Sequence, residues 1–337
     1  MPFNNTKIKS INILAIIGVI NKIIYLLAIV VGIFSCFLII FPSSNALLPL
    51  QYILFFTPRY FYFFVVLYLC FQWRKATNIK KIILTSLMFI SIYLLDIQIN
   101  INTQGNAVQK SPTFTLVSAN IGEGIELSHL MSVIKFHNPD IFTLQEASRI
   151  TNIDKLAGYP FQDCKGNLCL ISKYPFKKVN SLNNDMFKGY GDWSAFYEID
   201  INGTLVNIVN VHFPSVRSIF PRFYGIKNIH QNRVLSALLI DDWAQSKKNV
   251  IIAGDFNMSV TEGTYQRTFT KYLNALSHSG TGFNNTVDYK YRGFSLPGIR
   301  IDHILLSQEF NIQKAIVLET LGGDHYPILS KIAFKEH

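Results

Sequence analysis

Polar side chains that can bind a metal ion or a phosphate group stand at the ends of short apolar runs in the last two thirds of the sequence. The runs end in, or just before, a carboxylate, a carboxamide or an imidazole, and they cover residues 114–120, 140–146, 206–212, 250–257, 301–306 and 322–327. Most of them are typical of buried strands. Several strands that bring such groups to one edge of a sheet would form a site for a hard divalent cation and a phosphate.

Glu146 and Asn120 are candidate metal ligands. Glu146 follows an apolar run, where an unpaired charge is costly, so it needs a cation nearby. A metal ion would meet that need, and so would a salt bridge to Arg149. Asn120 closes the first predicted strand, where it either contributes to the same site or forms a turn before Gly122.

The stretch Gly254-Asp255-Phe256-Asn257 follows another predicted strand. Asp255 and Asn257 are two residues apart, so in an extended backbone their side chains point the same way. A carboxylate beside a carboxamide suits a phosphate that lies next to Mg²⁺. The alternative is an ordinary turn, because Gly, Asp and Asn all favour turns.

Two Asp-His pairs, Asp302-His303 and Asp324-His325, lie near the C-terminus. A histidine held by an aspartate is the usual general base, because the carboxylate fixes the tautomer and favours the imidazolium. For each pair alone, the alternative is a hydrogen-bonded structural histidine. His212 follows a predicted strand, and by itself it would be a loop histidine.

The positive charge of the chain is concentrated in its N-terminal third. Residues 1–109 carry a formal charge of +7 out of a total of +10, and residues 110–337 carry only +3. A strongly basic protein suggests a nucleic-acid partner. That inference is weak here, because the part with the candidate chemistry is only mildly basic.

The same N-terminal third is apolar enough to predict a membrane region over residues 1–101, with three transmembrane helices at about 23–41, 50–73 and 80–100. The second helix has to tolerate Arg59, and the third has to place Asp96 at the interface. Two helices are an alternative, and so is a cleaved signal peptide in place of the first.

The distribution of basic residues predicts the orientation of this region. Lys7, Lys9 and Lys22 precede or begin the first predicted helix, and a basic loop at residues 74–81 precedes the third. By the positive-inside rule both segments are cytoplasmic. Three crossings would then place the rest of the chain, after about residue 101, on the periplasmic or extracellular side, whereas two crossings would leave it in the cytosol.

Cysteine usage bears on the same question. Cys164 and Cys169 bracket a turn-like segment, and in an oxidising compartment they could close a small disulfide loop. Two unpaired thiols are the alternative. Cys36 and Cys70 lie inside apolar runs and are read as core residues.

The remainder of the chain is predicted to be one α/β domain. A polar linker over residues 102–112 leads to residues 113–337, where short strand-like runs predominate and Asn202-Gly203 signals a hairpin. Residues 127–137 and 228–244 have helical spacing of their apolar positions. The order of elements predicts two packed mixed sheets flanked by helices.

Taken together, the motifs resemble the endonuclease/exonuclease/phosphatase superfamily, which includes deoxyribonucleases, neutral sphingomyelinases and inositol-polyphosphate 5-phosphatases. The resemblance covers residues 113–334, and the motifs occur in the order of the family: Asn120, Leu144-Gln145-Glu146, Leu170 to Pro175, Asn210-Val211-His212, Gly254 to Asn257, Arg300 to His303, and Gly323 to Pro327. It implies a four-layer α/β sandwich with the site at one edge of the two sheets.

The resemblance also implies a metal cofactor. Glu146 corresponds to the principal ligand of Mg²⁺, with Mn²⁺ as an alternative ion, and Asn120 lies beside it at the metal or the phosphate. Asp324 stands where some members of the family have a further carboxylate at the metal site. His303 is expected to be structural.

For catalysis, the resemblance implies a carboxylate–imidazole pair formed by Asp302 and His325. Asp255 corresponds to the residue that orients the attacking water, and Asn257 to a contact with the phosphate. His212 corresponds to a second histidine that contacts the phosphate and assists the leaving group.

The expected function is Mg²⁺-dependent hydrolysis of a phosphoester or phosphoanhydride at a membrane surface, because the site would be tethered next to a bilayer. The expected location is the bacterial cytoplasmic membrane, since the superfamily that the chain resembles has bacterial members with an N-terminal membrane region. The favoured substrate is a lipid phosphate, lipid pyrophosphate or phospholipid, and an aromatic segment at residues 213–224 with Arg217 and Arg222 is a candidate membrane-facing lip. The alternatives are a membrane-anchored nuclease acting on DNA or RNA, and an inactive binding module.

Overall fold

A computed structural model describes residues 13–41, 48–100, 111–122, 127–148, 156, 158–165, 167–183, 192–216 and 225–335 of the chain. The chain divides into two compact units. The first, called the N-terminal unit, consists of Met1–Ile40 and Arg59–Leu95. The second consists of Phe41–Pro58 and Asp96–His337, and it is called the catalytic unit because it contains all the residues for which the sequence predicts a catalytic role.

Apolar helices dominate the first hundred residues. They are α1 (Ile13–Ile40), α2 (Leu48–Phe56), α3 (Arg59–Cys70) and α4 (Asn78–Leu94), with a short 3₁₀ turn at Trp73–Lys75. Three of them, α1, α3 and α4, form the N-terminal unit and pack around Ala28, Val66 and Leu87. Thr77 caps the start of α4 by accepting a hydrogen bond from Lys80 N.

The prediction of three transmembrane helices is wrong. Among the described residues only α1 is long and apolar enough to cross a bilayer, or two segments if α2 and α3 are counted as one broken span. The predicted helix at 50–73 breaks at Pro58, because proline lacks an N–H and disfavours a helical residue before it. With 17 residues, α4 is shorter than the predicted 80–100 helix and spans roughly 26 Å.

Two six-stranded mixed sheets form the centre of the catalytic unit. The strands of the described residues are β1 (Thr113–Asn120), β2 (Ile141–Gln145), β3 (Phe161–Lys165), β4 (Leu168–Ser172), β5 (Phe176–Leu182), β6 (Ser194–Ile201), β7 (Thr204–His212), β8 (Val250–Asp255), β9 (Leu273–Asn274), β10 (Val287–Tyr291), β11 (Phe294–Ile299), β12 (Asp302–Leu306), β13 (Phe310–Val317) and β14 (Ile328–Phe334). Their orders are β13-β14-β1-β2-β4-β3 and β5-β6-β7-β8-β12-β9, and β10 and β11 form a separate hairpin.

Helices α5 (Leu127–His137), α6 (Ile226–Gln245) and α7 (Gly263–Thr268) cover the outer faces of the two sheets. A short helix, α8 (Ala275–Ser279), instead contributes Ala275 and Leu276 to the core between the sheets. One apolar core lies between the sheets, and two further cores pack α5 on one outer face and α6 on the other. The predicted sandwich of two mixed sheets flanked by helices is therefore confirmed.

The strand register brings the candidate site residues to one edge. In the first sheet β1 and β2 are parallel, with Asn120 opposite Gln145. In the second sheet β7 and β8 are parallel, with His212 opposite Asp255, and Asp302 on the antiparallel β12 lies on the other side of Asp255. Because parallel strands end at the same edge, polar residues that are far apart in sequence become neighbours in space.

The catalytic unit begins before the predicted boundary at residue 113 and includes α2. Asp96 follows α4 and forms a bidentate ion pair with Arg300, whose Nη2 lies 2.9 Å from Asp96 Oδ2. Two residues later, Gln98 exchanges backbone hydrogen bonds with Gly282. Arg300 is buried, and it stands two residues before Asp302 in the sequence.

We expect Asp96→Asn to lower the free energy of unfolding by on the order of 2–3 kcal/mol, because it leaves the buried Arg300 guanidinium without its charged partner. Asp242→Ala, which removes an exposed carboxylate, is the control and should change it by less than about 0.5 kcal/mol. Urea unfolding of the full chain in detergent measures both values. Equal effects of the two substitutions would contradict a structural role for Asp96.

Candidate active site

Asn120 links the ends of the two sheets. Its Nδ2 donates hydrogen bonds to Glu146 Oε1 and to Asp255 Oδ2, each at 3.0 Å. Its Oδ1 accepts from the backbone N–H of Gly122, which fixes the orientation of the amide. In this arrangement Asn120 braces two carboxylates through its nitrogen, and its predicted contact with a metal or phosphate stays a prediction.

Glu146 stands directly after β2 with a positive φ of 53°, a conformation that few non-glycine residues adopt. One third of its side chain is exposed, at 33 %. His212 Nε2 lies 3.5 Å from Glu146 Oε1 and 3.7 Å from Asp255 Oδ2. The carboxylates of both sheets therefore converge near one imidazole, at a point that solvent reaches through Glu146.

Asp255 is the buried centre of the group. The backbone N–H of Asn257 donates to Asp255 Oδ1 at 2.8 Å, and Asn257 Nδ2 donates to Asp255 Oδ2 at 3.0 Å. The second hydrogen of that amide goes to the carbonyl of Phe213, at an N–O distance of 2.9 Å. Asn257 thus holds Asp255, and its predicted contact with phosphate stays a prediction.

Gly254 allows β8 to approach β7 closely. Its φ of 143° is rare for residues with a side chain, and a Cβ built on it would lie 2.0 Å from the carbonyl oxygen of Val211. Any larger residue would push the two strands apart just where His212 and Asp255 are paired. The glycine of the Gly254-Asp255 motif is therefore needed for close packing rather than for a turn.

His325 and Asp302 form the carboxylate–imidazole pair that the family resemblance implies. His325 Nδ1 donates to Asp302 Oδ2 at 2.9 Å, and His325 Nε2 lies 3.9 Å from Asp255 Oδ2. Burial alone would lower the pKa of His325, but the charges of Asp302 and Asp255 outweigh burial and raise it to about 10. At neutral pH and without a metal ion, this imidazole is protonated.

The segment that carries His325 is held by the β10–β11 hairpin. His325 pairs with Val287 in an isolated antiparallel bridge, and Tyr326 N donates to the Thr286 carbonyl at 2.8 Å. The Thr286 hydroxyl accepts from the backbone N–H of Asp302 at 3.1 Å. The hairpin thereby positions both members of the pair.

One set of donors in this site has its ligand atoms close enough together to hold a divalent cation, and a second set is a further candidate. Asp255, Asp302 and His325 offer ligand atoms that all lie within 4.8 Å of one another. Glu146 with Asp255 and His212 is the other set. We favour the second set, because Glu146 is the more accessible carboxylate, whereas Asp302 and His325 are already hydrogen-bonded to each other. Asp324 lies at the edge, with Oδ1 4.0 Å from His325 Nε2.

The structure brings all the predicted site residues into one group: Asn120, Glu146, His212, Asp255, Asn257, Asp302, Asp324 and His325. His303 does not join it. It is buried between the Asn274 amide and the Met258 carbonyl, and burial followed by the charge of Arg300 lowers its pKa to about 3. The prediction of a structural role for His303 fits this position. The Arg149 alternative and most of the residue 213–224 lip, including Arg217 and Arg222, fall outside the described residues.

Sequence reasoning missed a buried amide pair that joins the two sheets below the site. Gln145 Nε2 donates to Asn210 Oδ1 at 2.7 Å, and Asn210 Nδ2 donates to the carbonyls of Leu144 and Cys169. Both residues stand within motifs that carry the family resemblance. Their signal was an amide inside an otherwise apolar strand, where a buried polar group needs a partner.

Arg233 was missed as well. It is fully buried on α6, pairs with Glu262 at 2.9 Å, and donates a hydrogen bond to the backbone carbonyl of Asn257. Its guanidinium also packs on the ring of Tyr52, at 5.3 Å from the ring centre. An arginine within the apolar pattern of a helix was the available signal. Arg233 connects α2 to the loop that holds Asp255.

Cys164 and Cys169 form a disulfide across the β3–β4 hairpin. The two residues are direct cross-strand partners, with 4.0 Å between their Cα atoms. The sequence left this pairing open against two free thiols, and the structure has the bonded form.

Comparison with known proteins gives a family match. The model of the Endonuclease/Exonuclease/phosphatase family matches residues 100–325. The curated proteins contain no match to this sequence.

Solved structures with the same fold include an endonuclease/exonuclease/phosphatase family protein from Bacteroides thetaiotaomicron, with 18 % identity and a TM-score of 0.51 over 68 % of this chain and 100 % of that one. Another is a truncated TDP2 from Caenorhabditis elegans, with 20 % identity and a TM-score of 0.51 over 66 % of this chain and 98 % of that one. At these identities the likeness establishes the fold alone.

We expect the metal-free protein to lose stability as the pH rises from about 6.5 to about 10, because His325 binds its proton more tightly when folded than when unfolded. The stabilising contribution of His325 is complete at a pH below its pKa in the unfolded chain. It is lost as the pH rises through its pKa in the folded protein. The slope attributable to one proton is at most about 1.4 kcal/mol per pH unit. Urea unfolding of the wild type and of His325→Gln at several pH values, both with a chelator, isolates this slope. Identical slopes for the two proteins would contradict the assignment.

Proposed function

Because the chain belongs to the Endonuclease/Exonuclease/phosphatase family, we propose that it hydrolyses a lipid phosphate, lipid pyrophosphate or phospholipid at a membrane surface with the help of Mg²⁺. Membership of this family makes the chain a metal-dependent phosphoric ester hydrolase. The finer parts of the proposal are the ion, the lipid-linked substrate and the membrane surface, and each has its own support.

The observation that carries the proposal is the convergence of Glu146, Asp255 and His212 on one partly exposed point. Two carboxylates from different sheets are held within hydrogen-bonding distance of a single amide nitrogen, on Asn120. Such an arrangement places like charges close together, which is costly unless a cation neutralises them. Oxygen donors of this type suit Mg²⁺.

Glu146 would hold the ion, with Asp255 and Asp324 as further carboxylates nearby. When bound, Mg²⁺ would neutralise negative charge that develops on the phosphate oxygens during attack. Asn120 would keep Glu146 and Asp255 in position through its two donated hydrogen bonds.

His325 would accept the proton of the attacking water at Nε2, while Asp302 fixes the ring through Nδ1. Asp255, 3.9 Å from that Nε2, would orient the water. A proton acceptor must be neutral, and in the metal-free site the pKa of His325 is about 10. We expect this pKa to fall when a cation offsets the charge of Asp255.

His212 would stabilise the phosphate and assist the leaving group. Its Nε2 faces the same point as Glu146 and Asp255, and its side chain remains 19 % exposed. A histidine that is accessible and close to two carboxylates can donate a hydrogen bond to a phosphate oxygen. Asn257 would contribute mainly by holding Asp255.

Membrane attachment is supported by the exposed apolar surface of the N-terminal unit. Large apolar side chains are exposed along α1, α3 and α4, for example Leu26, Phe64 and Phe89. An exposed apolar surface of this extent is typical of contact with lipid. We propose that α1 crosses the bilayer and that α3 and α4 pack on it within the lipid.

The division of the chain supports a location outside the cytoplasm. Residues 41–58 and 96–337 belong to one compact unit, so we propose that both segments are on the same side of the membrane. In that case the chain would return, after α3 and α4, to the side from which it left. Only α1 separates the catalytic unit from the N-terminus, and Lys7 and Lys9 favour a cytoplasmic N-terminus. The Cys164–Cys169 disulfide fits an oxidising compartment.

We expect His325→Ala and Asp255→Ala each to reduce turnover by about 10²-fold or more, because each removes a group that prepares the attacking water. His278→Ala, which removes an exposed histidine on α8, should retain full activity. The assay compares undecaprenyl pyrophosphate, phospholipids and plasmid DNA with Mg²⁺ and with a chelator. Near-normal turnover by His325→Ala would refute the site, and a preference for plasmid DNA would favour a nuclease.

We expect a cysteine at the exposed Lys248 position to react with a membrane-impermeant maleimide in intact cells, and a cysteine at Lys9 to be protected. Lys248→Cys and Lys9→Cys are made with Cys36 and Cys70 replaced by serine, so that each chain has one reactive thiol beside the disulfide. Labelling of Lys9→Cys but not Lys248→Cys would place the catalytic unit in the cytoplasm.

A further inference from the structure

A cleft of about 480 Å³ leads away from the active site along α2. Tyr52, Ile53 and Phe56 form one wall, and Val287, Tyr289 and Ile299 of the β10–β11 hairpin form the other. Asn257 and Asp324 stand at its inner end. A volume of this size is in the range of small-molecule sites.

The walls of the cleft are fixed by specific contacts within the catalytic unit. Tyr52 Oη lies 3.0 Å from His230 Nδ1. Tyr289 Oη donates to the Phe56 carbonyl at 2.7 Å, which ties the end of α2 to the hairpin. Phe56 packs with Val287, Ile299 and Ile301. The cleft is therefore a built feature of the fold, since each wall is held independently of any ligand.

The inner end of the cleft belongs to the catalytic centre. Asn257 holds Asp255 through two hydrogen bonds, and Asp324 reaches to within 4.0 Å of His325 Nε2. One molecule could therefore place its phosphate at the catalytic centre and the group next to that phosphate in the cleft.

The chemistry of the lining favours a hydrocarbon over a nucleic acid. Among the described lining residues none is lysine or arginine, whereas Asp288 and Asp324 are acidic. Nucleic-acid grooves need basic groups to neutralise the phosphate backbone. An uncharged chain has no such requirement, and it gains free energy from burial against apolar walls.

The outer surface of α2 extends the apolar character of the cleft. Ile53, which lines the cleft, is 40 % exposed, and Leu50, one turn earlier, is 48 % exposed but does not line it. A hydrocarbon chain that leaves the cleft along α2 would therefore contact the apolar side chains of Ile53 and Leu50.

We propose that the cleft between α2 and the β10–β11 hairpin binds the hydrocarbon chain of the substrate, in the part closest to the reacting phosphate. This inference rests on the proposed phosphoesterase function and adds the position where the chain is recognised. Ile53 is then a specificity-determining residue, and chain length is selected by the cleft rather than only by the bilayer.

The experiment measures binding of dodecyl phosphate, ethyl phosphate and a short oligothymidylate to the full chain in lipid nanodiscs, with empty nanodiscs as the background. We expect the wild type to bind dodecyl phosphate at least about tenfold more tightly than ethyl phosphate. Ile53→Asp should weaken the binding of dodecyl phosphate much more than that of ethyl phosphate, and so abolish most of this preference. Leu50→Asp is the matched control, since it places the same charge on the same helix outside the cleft, and it should keep the preference.

Three results would overturn the proposal: equal affinity for the two alkyl phosphates, equal loss in both variants, or oligothymidylate binding that only Ile53→Asp weakens. The second would assign the preference to the bilayer, and the third would make the cleft a base-binding site. The binding readout needs no turnover. A failure of the phosphoesterase function would appear instead as absent hydrolysis of every phosphoester, with chain-length binding intact.

Discussion

The arrangement depends on how one buried carboxylate, Asp255, is satisfied. A charge in this position is costly unless donors surround it. Donors come from both sheets: Asn120 from the first, and Asn257 from the loop that follows β8. His212 and His325 face the same carboxylate from two sides. The hydrogen bonds to Asp255 thus hold the ends of the two sheets together. As a consequence, acidic and basic side chains are grouped around this carboxylate.

The support of this centre reaches far into the N-terminal region. Arg233 holds the carbonyl of Asn257 and packs on Tyr52 of α2, and Arg300 beside Asp302 is paired with Asp96. Helix α2 and the residues after α4 are therefore parts of the catalytic unit. A soluble fragment that starts at the predicted domain boundary would lack both of these supports.

Much of the site could be predicted because its residues end recognisable strands. Asp255 and His212 were identifiable from apolar runs that stop at a polar group, and the parallel pairing of β7 and β8 brings them together as expected. The amide pair of Gln145 and Asn210 was not predicted, since a polar residue within a strand does not reveal its partner on another sheet. Only the three-dimensional register supplies that information.

The N-terminal third was predicted less well for a different reason. Hydropathy measures only whether a segment avoids water. Helix α2 avoids water by packing on other parts of the protein, and a lipid-facing helix would have the same hydropathy. Its apolar residues Leu48 and Tyr52 are buried against Val216 and Ile226. Pro58, which ends the helix early, was visible in the sequence, yet the partner of the helix was not.

The catalytic unit is assembled from two pieces of chain that are separated by α3 and α4, and this has a consequence for biosynthesis. The residues that α2 contacts, His230 and Tyr289, are 178 and 233 positions further along than their partners in α2. A ribosome therefore releases α2 long before its docking surface exists. During that interval the helix remains an exposed apolar segment, which a nearby bilayer or a chaperone has to shield from aggregation until the last strands are translated.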